Sequence, residues 1–297
     1  LQRVISRSSS AHYLKAILLT SSADAAEERG QDPIPKLEAA LVEIGQALKI
    51  NPDRPGYWNK LAGIRLNISW SKLAQGVVDR PLIEQSLNDV RRALRLHPNL
   101  SVSLNIQGNI YRQLACVAMM EGTDQRPALR QAIAALEEAH RLAPENEEPL
   151  CNLAVVYHDL SMYEFNYGLD PRESARRALE RADDATARGP GSPYTAVIRS
   201  GVLFVFAAFE LNAGGDGTAI RRFLDTSKTA VQSNPGNYQA HLTLCQANEL
   251  LARWQLRHGK APDAAIEAAR VAGRQAVALN PGNPYCQHTL ASACLAG

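Results

Sequence analysis

At 297 residues the chain is long enough for one large domain or two ordinary ones, and 45% hydrophobic residues supply ample material for a buried core. A formal net charge of +2 with 21% charged residues carries no electrostatic footprint for nucleic acid or an anionic membrane surface, so neither is an expected partner. The longest apolar run, Val202 to Phe209, is eight residues, against the ~20 that a membrane helix needs. The opening LQRVISRSSS has no apolar signal-peptide core, and a cytoplasmic protein is expected. The five cysteines (Cys116, Cys151, Cys245, Cys286, Cys294) are odd in number and form no CxxC pair, which predicts reduced, buried thiols.

Taken in chain order, the sequence repeats itself. Glycines fall at Gly30, Gly76, Gly122, Gly168, Gly214 and Gly259, spaced 46, 46, 46, 46 and 45 residues apart. Prolines fall at Pro52, Pro98, Pro144, Pro190, Pro235 and Pro281, spaced 46, 46, 46, 45 and 46. Two independent markers with one period predict a chain built of repeated supersecondary units. Before each proline lies an alanine-rich stretch such as LEAALVEIGQALKINP, SLNDVRRALRLHP or AIAALEEAHRLAP, with apolar residues at three- and four-residue steps. That spacing predicts a helix with one buried face. The proline stops it, because proline disfavours helical geometry in the residue before it and has no N–H to donate. A second, longer periodic stretch follows, as in YWNKLAGIRLNISWSKLAQ and PLCNLAVVYHDLSMYEFNY, and ends at the repeating glycine, a residue suited to a left-handed helix terminus.

The loop GLDPRESA invites a catalytic reading, yet its residues are explained by helix punctuation. Gly168 ends one helix, Asp170 caps the next, and Pro171 sits in that helix's first turn. Asp32, Asp124 and Asp216 occupy matching loops, so the aspartates are spread along the chain and converge on no metal or phosphate.

The positions inside each unit resemble the tetratricopeptide repeat. Trp58, Leu61 and Ala62 match its first-helix pattern, as do Leu150, Leu153, Ala154 and Tyr157, and Gly108 with Tyr111. The paired small residues of its second helix match as Ala40 and Ala47, Ala132 and Ala139, Ala178 and Ala185, and Ala269 and Ala276. The usual period of that repeat is 34, so each unit here carries 12 more residues, placed chiefly in the first helix and worth up to about 18 Å of length. The fifth unit departs, with Arg199, Ser200 and Leu203 at the Leu, Gly and Tyr positions. A period in the forties also suits HEAT repeats. The resemblance implies an all-α, right-handed α-solenoid of about six helix-pair repeats, a single array over residues 1–297. Its units end near the six prolines, and residues 282–297 begin a truncated seventh. A start on Leu1 and a stop partway through a helix point to a fragment of a longer protein. The elongated units with Gly-x-Asp-Pro-Arg between helices are similar to repeats that follow the catalytic domain of bacterial, especially myxobacterial, serine/threonine protein kinases. No Gly-rich loop, H-R-D or D-F-G kinase signature is present in this chain.

Enzymatic constellations are missing. The seven histidines have no metal-binding spacing, and there is no G-x-S-x-G elbow or P-loop. NAGGDG at 212–217 lacks the lysine of a phosphate cradle, and Cys151 with His158 reads as a packed thiol beside a helical histidine. RESARRALERADDATAR balances arginines with carboxylates on a solvated face. The segment 197–210 is apolar nearly all round, which predicts burial or a docking patch at Phe204 or Phe206.

In a tetratricopeptide array the first helices line the concave face. The residues expected there are Asn59, Lys60 and Asn67, then Asn105, Asn109, Arg112 and Gln113, then Asn152 and His158. Asparagine amides both donate and accept, which suits the backbone of an extended peptide, and Lys60 and Arg112 suit an acidic group. The expected function is therefore a non-catalytic scaffold for a peptide or protein partner, with no cofactor and no metal. The alternative is a regulatory or sensing region of a bacterial serine/threonine protein kinase whose catalytic domain lies outside this chain.

Overall fold

The computed structural model describes residues 8–27, 29, 31–189 and 193–295. Gly30, Pro190 and the first and last residues, on which some expectations rest, lie outside them. Among the described residues there are thirteen helices and no strand. They are α1 (Ser9–Glu27), α2 (Ile34–Ile50), α3 (Pro55–Ala74), α4 (Arg80–Leu96), α5 (Ser101–Met120), α6 (Arg126–Leu142) and α7 (Glu148–Asn166). Then come α8 (Arg172–Arg188), α9 (Pro193–Ala213), α10 (Thr218–Ser233), α11 (Tyr238–Arg257), α12 (Asp263–Leu279) and α13 (Pro284–Leu295). No helix among the described residues is long and apolar enough to cross a membrane. The chain divides into two compact units, Leu1–Leu153 and Ala154–Gly297.

Both sets of sequence markers do the structural work assigned to them. The residue before each proline (Asn51, His97, Ala143, Gly189, Asn234, Asn280) has an extended φ between −134° and −148°. Its N–H closes the helix by donating to an alanine carbonyl four residues back: Ala47, Ala93, Ala139, Ala185, Ala230 and Ala276. The proline clash with helical geometry explains why each helix stops there. At the other end of the unit Gly76, Gly122, Gly168, Gly214 and Gly259 take φ of +65° to +79°. The next residue's N–H reaches back across the turn, as Leu169 does to the Glu164 carbonyl at 2.7 Å. These are Schellman closures, which need a left-handed residue at that point.

The aspartates hold the helix starts from one residue before the N-cap rather than from the N-cap itself, which falls at Pro33, Gln125, Pro171 and Gly217. Asp32, Asp124, Asp170 and Asp216 each accept the N–H two residues on, at 2.9–3.0 Å. Asp170 also holds Arg172 through both carboxylate oxygens. The side-chain and backbone hydrogen bonds from Arg172 lower the Asp170 carboxyl to about 2. The second repeat uses Asp79, which stands at the N-cap itself and accepts the Leu82 N–H at 3.1 Å.

Odd-numbered helices are the first members of each pair and even-numbered ones the second. A second helix buries one stripe, as in α4, where Ile83, Ser86, Leu87, Val90 and Ala93 face inward. A first helix is buried on two sides, because it meets both its own second helix and the next first helix; in α3 Tyr57, Leu61, Ala62, Ile64, Leu66 and Ile68 are all buried. The eight paired alanines of the second helices are 0–1% exposed. That places them where helices approach too closely for a larger side chain.

The core of the first unit is built by Leu37, Ile44, Ile64 and Ile68, and further along by Ile83, Val90, Ile110 and Val117. Each such residue, once buried, contributes about 1.5–3 kcal/mol. In the second unit Leu203, Leu211, Phe223, Leu250 and Trp254 form one cluster. The cysteines divide: Cys245 and Cys286 are buried, Cys116 and Cys151 half-buried, and Cys294, contrary to expectation, exposed. Burial pushes the Cys245 thiol up to about 12.

Candidate functional site

In the first unit, the polar residues of successive first helices meet one another. Ser103 Oγ on α5 donates to Asn59 Oδ1 on α3 at 2.9 Å, and Ser69 Oγ donates to Gln113 Oε1 at 2.7 Å. Asn152 Nδ2 on α7 donates to Asn105 Oδ1 on α5 at 2.9 Å. Asn59, Asn105 and Gln113 are 0–5% exposed. They therefore act as rungs between neighbouring helices, where an unsatisfied amide would cost about 1–3 kcal/mol. Gln113 Nε2 is buried without a partner among the described residues.

The remaining residues expected on the first-helix face are half-exposed: Lys60, Asn67, Asn109, Arg112 and Asn152 in this unit. Burial pushes the Lys60 ammonium below the usual lysine range, with the Asp24 carboxylate pulling the other way. The Arg112 guanidinium lies over the Trp70 ring, 5.2 Å from its centroid. That places one cation of the face on an aromatic plane, an arrangement that fixes its direction.

In the second unit the first-helix face is hollow. A cavity of about 410 Å³ opens among α7, α9, α10, α11 and α13. Phe204, Met162, Tyr238 and Tyr285 give it apolar walls, and Gln246 and His158 supply polar groups. Gln246 Nε2 donates to the Tyr285 hydroxyl at 2.9 Å, bridging α11 and α13. Phe204 packs edge-on against buried Phe223, with centroids 6.2 Å apart, so its ring is fixed from behind. The His158 ring lies against Gly201, where an added Cβ would come within 2.6 Å of Nε2. Apart from His158 the lining carries no ionisable group except the two tyrosine hydroxyls.

Of the residues expected on the face, His158 is the one that the cavity gathers. Tyr238, Tyr285, Gln246 and Met162 were not singled out from the sequence. The two tyrosines share only a neighbourhood: Tyr238 and Tyr285 stand three and four residues after Pro235 and Pro281, at the start of a first helix. The apolar segment, described from Ile198 to Glu210, is mostly buried through Val202, Leu203, Val205, Ala207 and Ala208, while Phe204 and Phe206 are half-buried and line two different cavities.

The glycine-rich loop at 212–217 has its N–H groups taken by the chain itself. Glu210 Oε1 accepts from Gly217 and Thr218 at 2.8 and 3.0 Å, and Oε2 accepts from Ala219 at 2.6 Å. A carboxylate thus occupies the position a phosphate would need. Among the described residues no group of three histidine, cysteine, aspartate or glutamate side chains is placed to hold a metal ion.

Solved structures with similar folds include the S. pombe nuclear import adaptor Nro1, at TM-score 0.61 and 13% identity over 96% of this chain and 99% of that one. The Pseudomonas aeruginosa pilF protein matches at TM-score 0.52 and 18% identity, over 94% of this chain and 98% of that one. A thermophilic tetratricopeptide repeat protein of Thermus thermophilus matches at TM-score 0.50 and 17% identity, over 78% and 98%. The fold is thus an α-helical repeat of the tetratricopeptide type. No protein-family model matches the chain, and no curated protein does.

Proposed function

We propose that this chain is a non-catalytic interaction scaffold that binds an extended segment of a partner protein on the face made by its first helices. The observation that carries this reading is the cavity bounded by Phe204, Met162, Tyr238 and Tyr285. Its volume of about 410 Å³ lies in the range of pre-formed binding sites and accommodates a large apolar side chain. Burying one leucine or phenylalanine there contributes about 1.5–3 kcal/mol. The nearly neutral lining selects an uncharged aromatic or branched residue, since a charged one would be desolvated without a counter-ion. Half-exposed Lys60, Asn67, Asn109, Arg112 and Asn152 on the first unit's face would give polar contacts to the same partner class. The buried amides of Asn59, Asn105 and Gln113 support those helices from beneath.

Panning a random displayed-peptide library against the purified chain tests this. The wild type should enrich sequences centred on aromatic or branched residues, and Met162→Glu should lose them. Enrichment that survives Met162→Glu unchanged would discard the cavity as the site.

The second reading, a regulatory region of a bacterial serine/threonine kinase, is supported by the loop Gly168–Arg172, whose Asp170–Arg172 clasp recurs as Asp124–Arg126. The DNA reading frame upstream of Leu1 tests it: a Gly-rich loop and a D-F-G segment encoded there would favour it, and further repeats or a start codon would sink it.

A further inference from the structure

A second cavity, also about 410 Å³, opens in the second unit at the junction of α8, α9 and α10. Its wall is apolar: Leu203, Phe206 and Phe209 come from one face of α9, reinforced by Ala213 and Ala219. Three ionisable side chains line it, Arg172, Glu210 and Arg222. Two of them are already neutralised. Arg172 is held by both oxygens of Asp170, and its guanidinium lies 5.3 Å from the Phe209 centroid. Glu210 accepts three backbone N–H groups at the start of α10, whose dipole compensates its charge. The Arg222 guanidinium is exposed and forms no ion pair among the described residues.

We infer that this cavity is a ligand site for an amphipathic monocarboxylate, an acyl chain or aryl ring of modest size bearing one negative charge. Such a ligand places its apolar body against Leu203, Phe206 and Phe209 and its carboxylate on Arg222. Arginine suits this role because its planar fork can meet a carboxylate with two parallel hydrogen bonds. The donors of the helix terminus are not available to the ligand, because Glu210 fills them, so Arg222 sets the charge preference. A dianion or a phosphate is disfavoured, having a single uncompensated cation to meet and the Glu210 carboxylate nearby. The site is separate from the cavity on the first-helix face and does not depend on the scaffold reading.

Octanoate, octan-1-ol and octylamine, titrated calorimetrically into the full chain, test the inference with chain length held constant. Octanoate should bind at one saturable site, about tenfold tighter than the alcohol, as expected for a charge-assisted hydrogen bond. Octylamine should be weakest. Arg222→Gln should bring octanoate down to the level of octan-1-ol, and Arg222→Lys should restore part of the preference. Tyr285→Ser, in the other cavity, should leave it intact. Equal binding of octanoate and octylamine, an unchanged preference in Arg222→Gln, loss of the preference in Tyr285→Ser, or no saturable binding would each overturn the assignment.

Discussion

Leu136 fills the space that a side chain on Gly108 would need: a Cβ there would lie 2.4 Å from Leu136 Cγ. Both residues are buried, and Leu136 is wholly so. The glycine is thus a contact device between α5 and α6. Gly108→Ala gains about 1 kcal/mol of helix propensity but overpacks the contact at a cost of ~1–3 kcal/mol. A lower urea midpoint is the expected result. Leu136→Ala should relieve the clash, so the double mutant should lose less than the two single losses added together.

Gly201 presents the same geometry with the opposite consequence. Its would-be Cβ meets the His158 ring, the far end of a half-exposed side chain that can swing away. Gly201→Ala should therefore keep most of the about 1 kcal/mol of helix propensity and raise the urea midpoint, while moving His158 out of its place in the cavity. The His158 imidazole resonances would record this. A large loss of stability with unmoved resonances would show that the ring is locked.

The rungs between first helices separate two kinds of asparagine. Asn105→Ala removes the acceptor for Asn152 Nδ2 at a buried position and should cost about 1–3 kcal/mol in thermal unfolding. Asn109→Ala, one turn along and half-exposed, should stay within ~0.5 kcal/mol. Equal losses would mean that the rung adds nothing specific.

Helix boundaries and the alanine contacts were legible in the sequence because each depends on local chemistry. A proline dictates its neighbour's backbone, a left-handed turn selects glycine, and an aspartate reaches an N–H two residues on. Trp58, His241 and Gln287, each six residues past a proline, show a rule that was there to be read. Every one donates a side-chain N–H to that proline's carbonyl, at 2.7, 2.8 and 3.0 Å. What was not legible is which polar residue on a first helix points to its neighbour and which to solvent. Asn105 and Asn109 are a turn apart on α5, and only the placement of Asn152 on α7, which donates to Asn105, decides between them. The cavity is likewise assembled from five helices, and Met162, Phe204, Gln246 and Tyr285 have no common local pattern.

Arg65 and Asp89 form a salt bridge between α3 and α4 that burial turns into a pH-sensitive element. Burial outweighs the attraction of Arg65 and raises the Asp89 carboxyl from 3.8 to about 6. Between those values the folded state binds more protons than the unfolded chain, so this group's contribution to stability falls as pH rises from about 4 to about 6. Asp89→Asn cannot titrate. The stability difference, variant minus wild type, should therefore grow in the variant's favour across that window, measured by urea unfolding at several pH values. A difference independent of pH would remove Asp89 as the source.

The central claim, that a partner segment seats its apolar residue in the first-helix cavity of the second unit, is tested most directly by methyl resonances of methionine. The chain has three methionines; Met162 lines the cavity, and Met119 and Met120 end α5 with exposed side chains. A peptide enriched by panning, titrated into protein carrying labelled methionine methyls, should shift the Met162 signal saturably and leave the other two in place. A shift of Met119 or Met120 with Met162 unmoved would contradict the account.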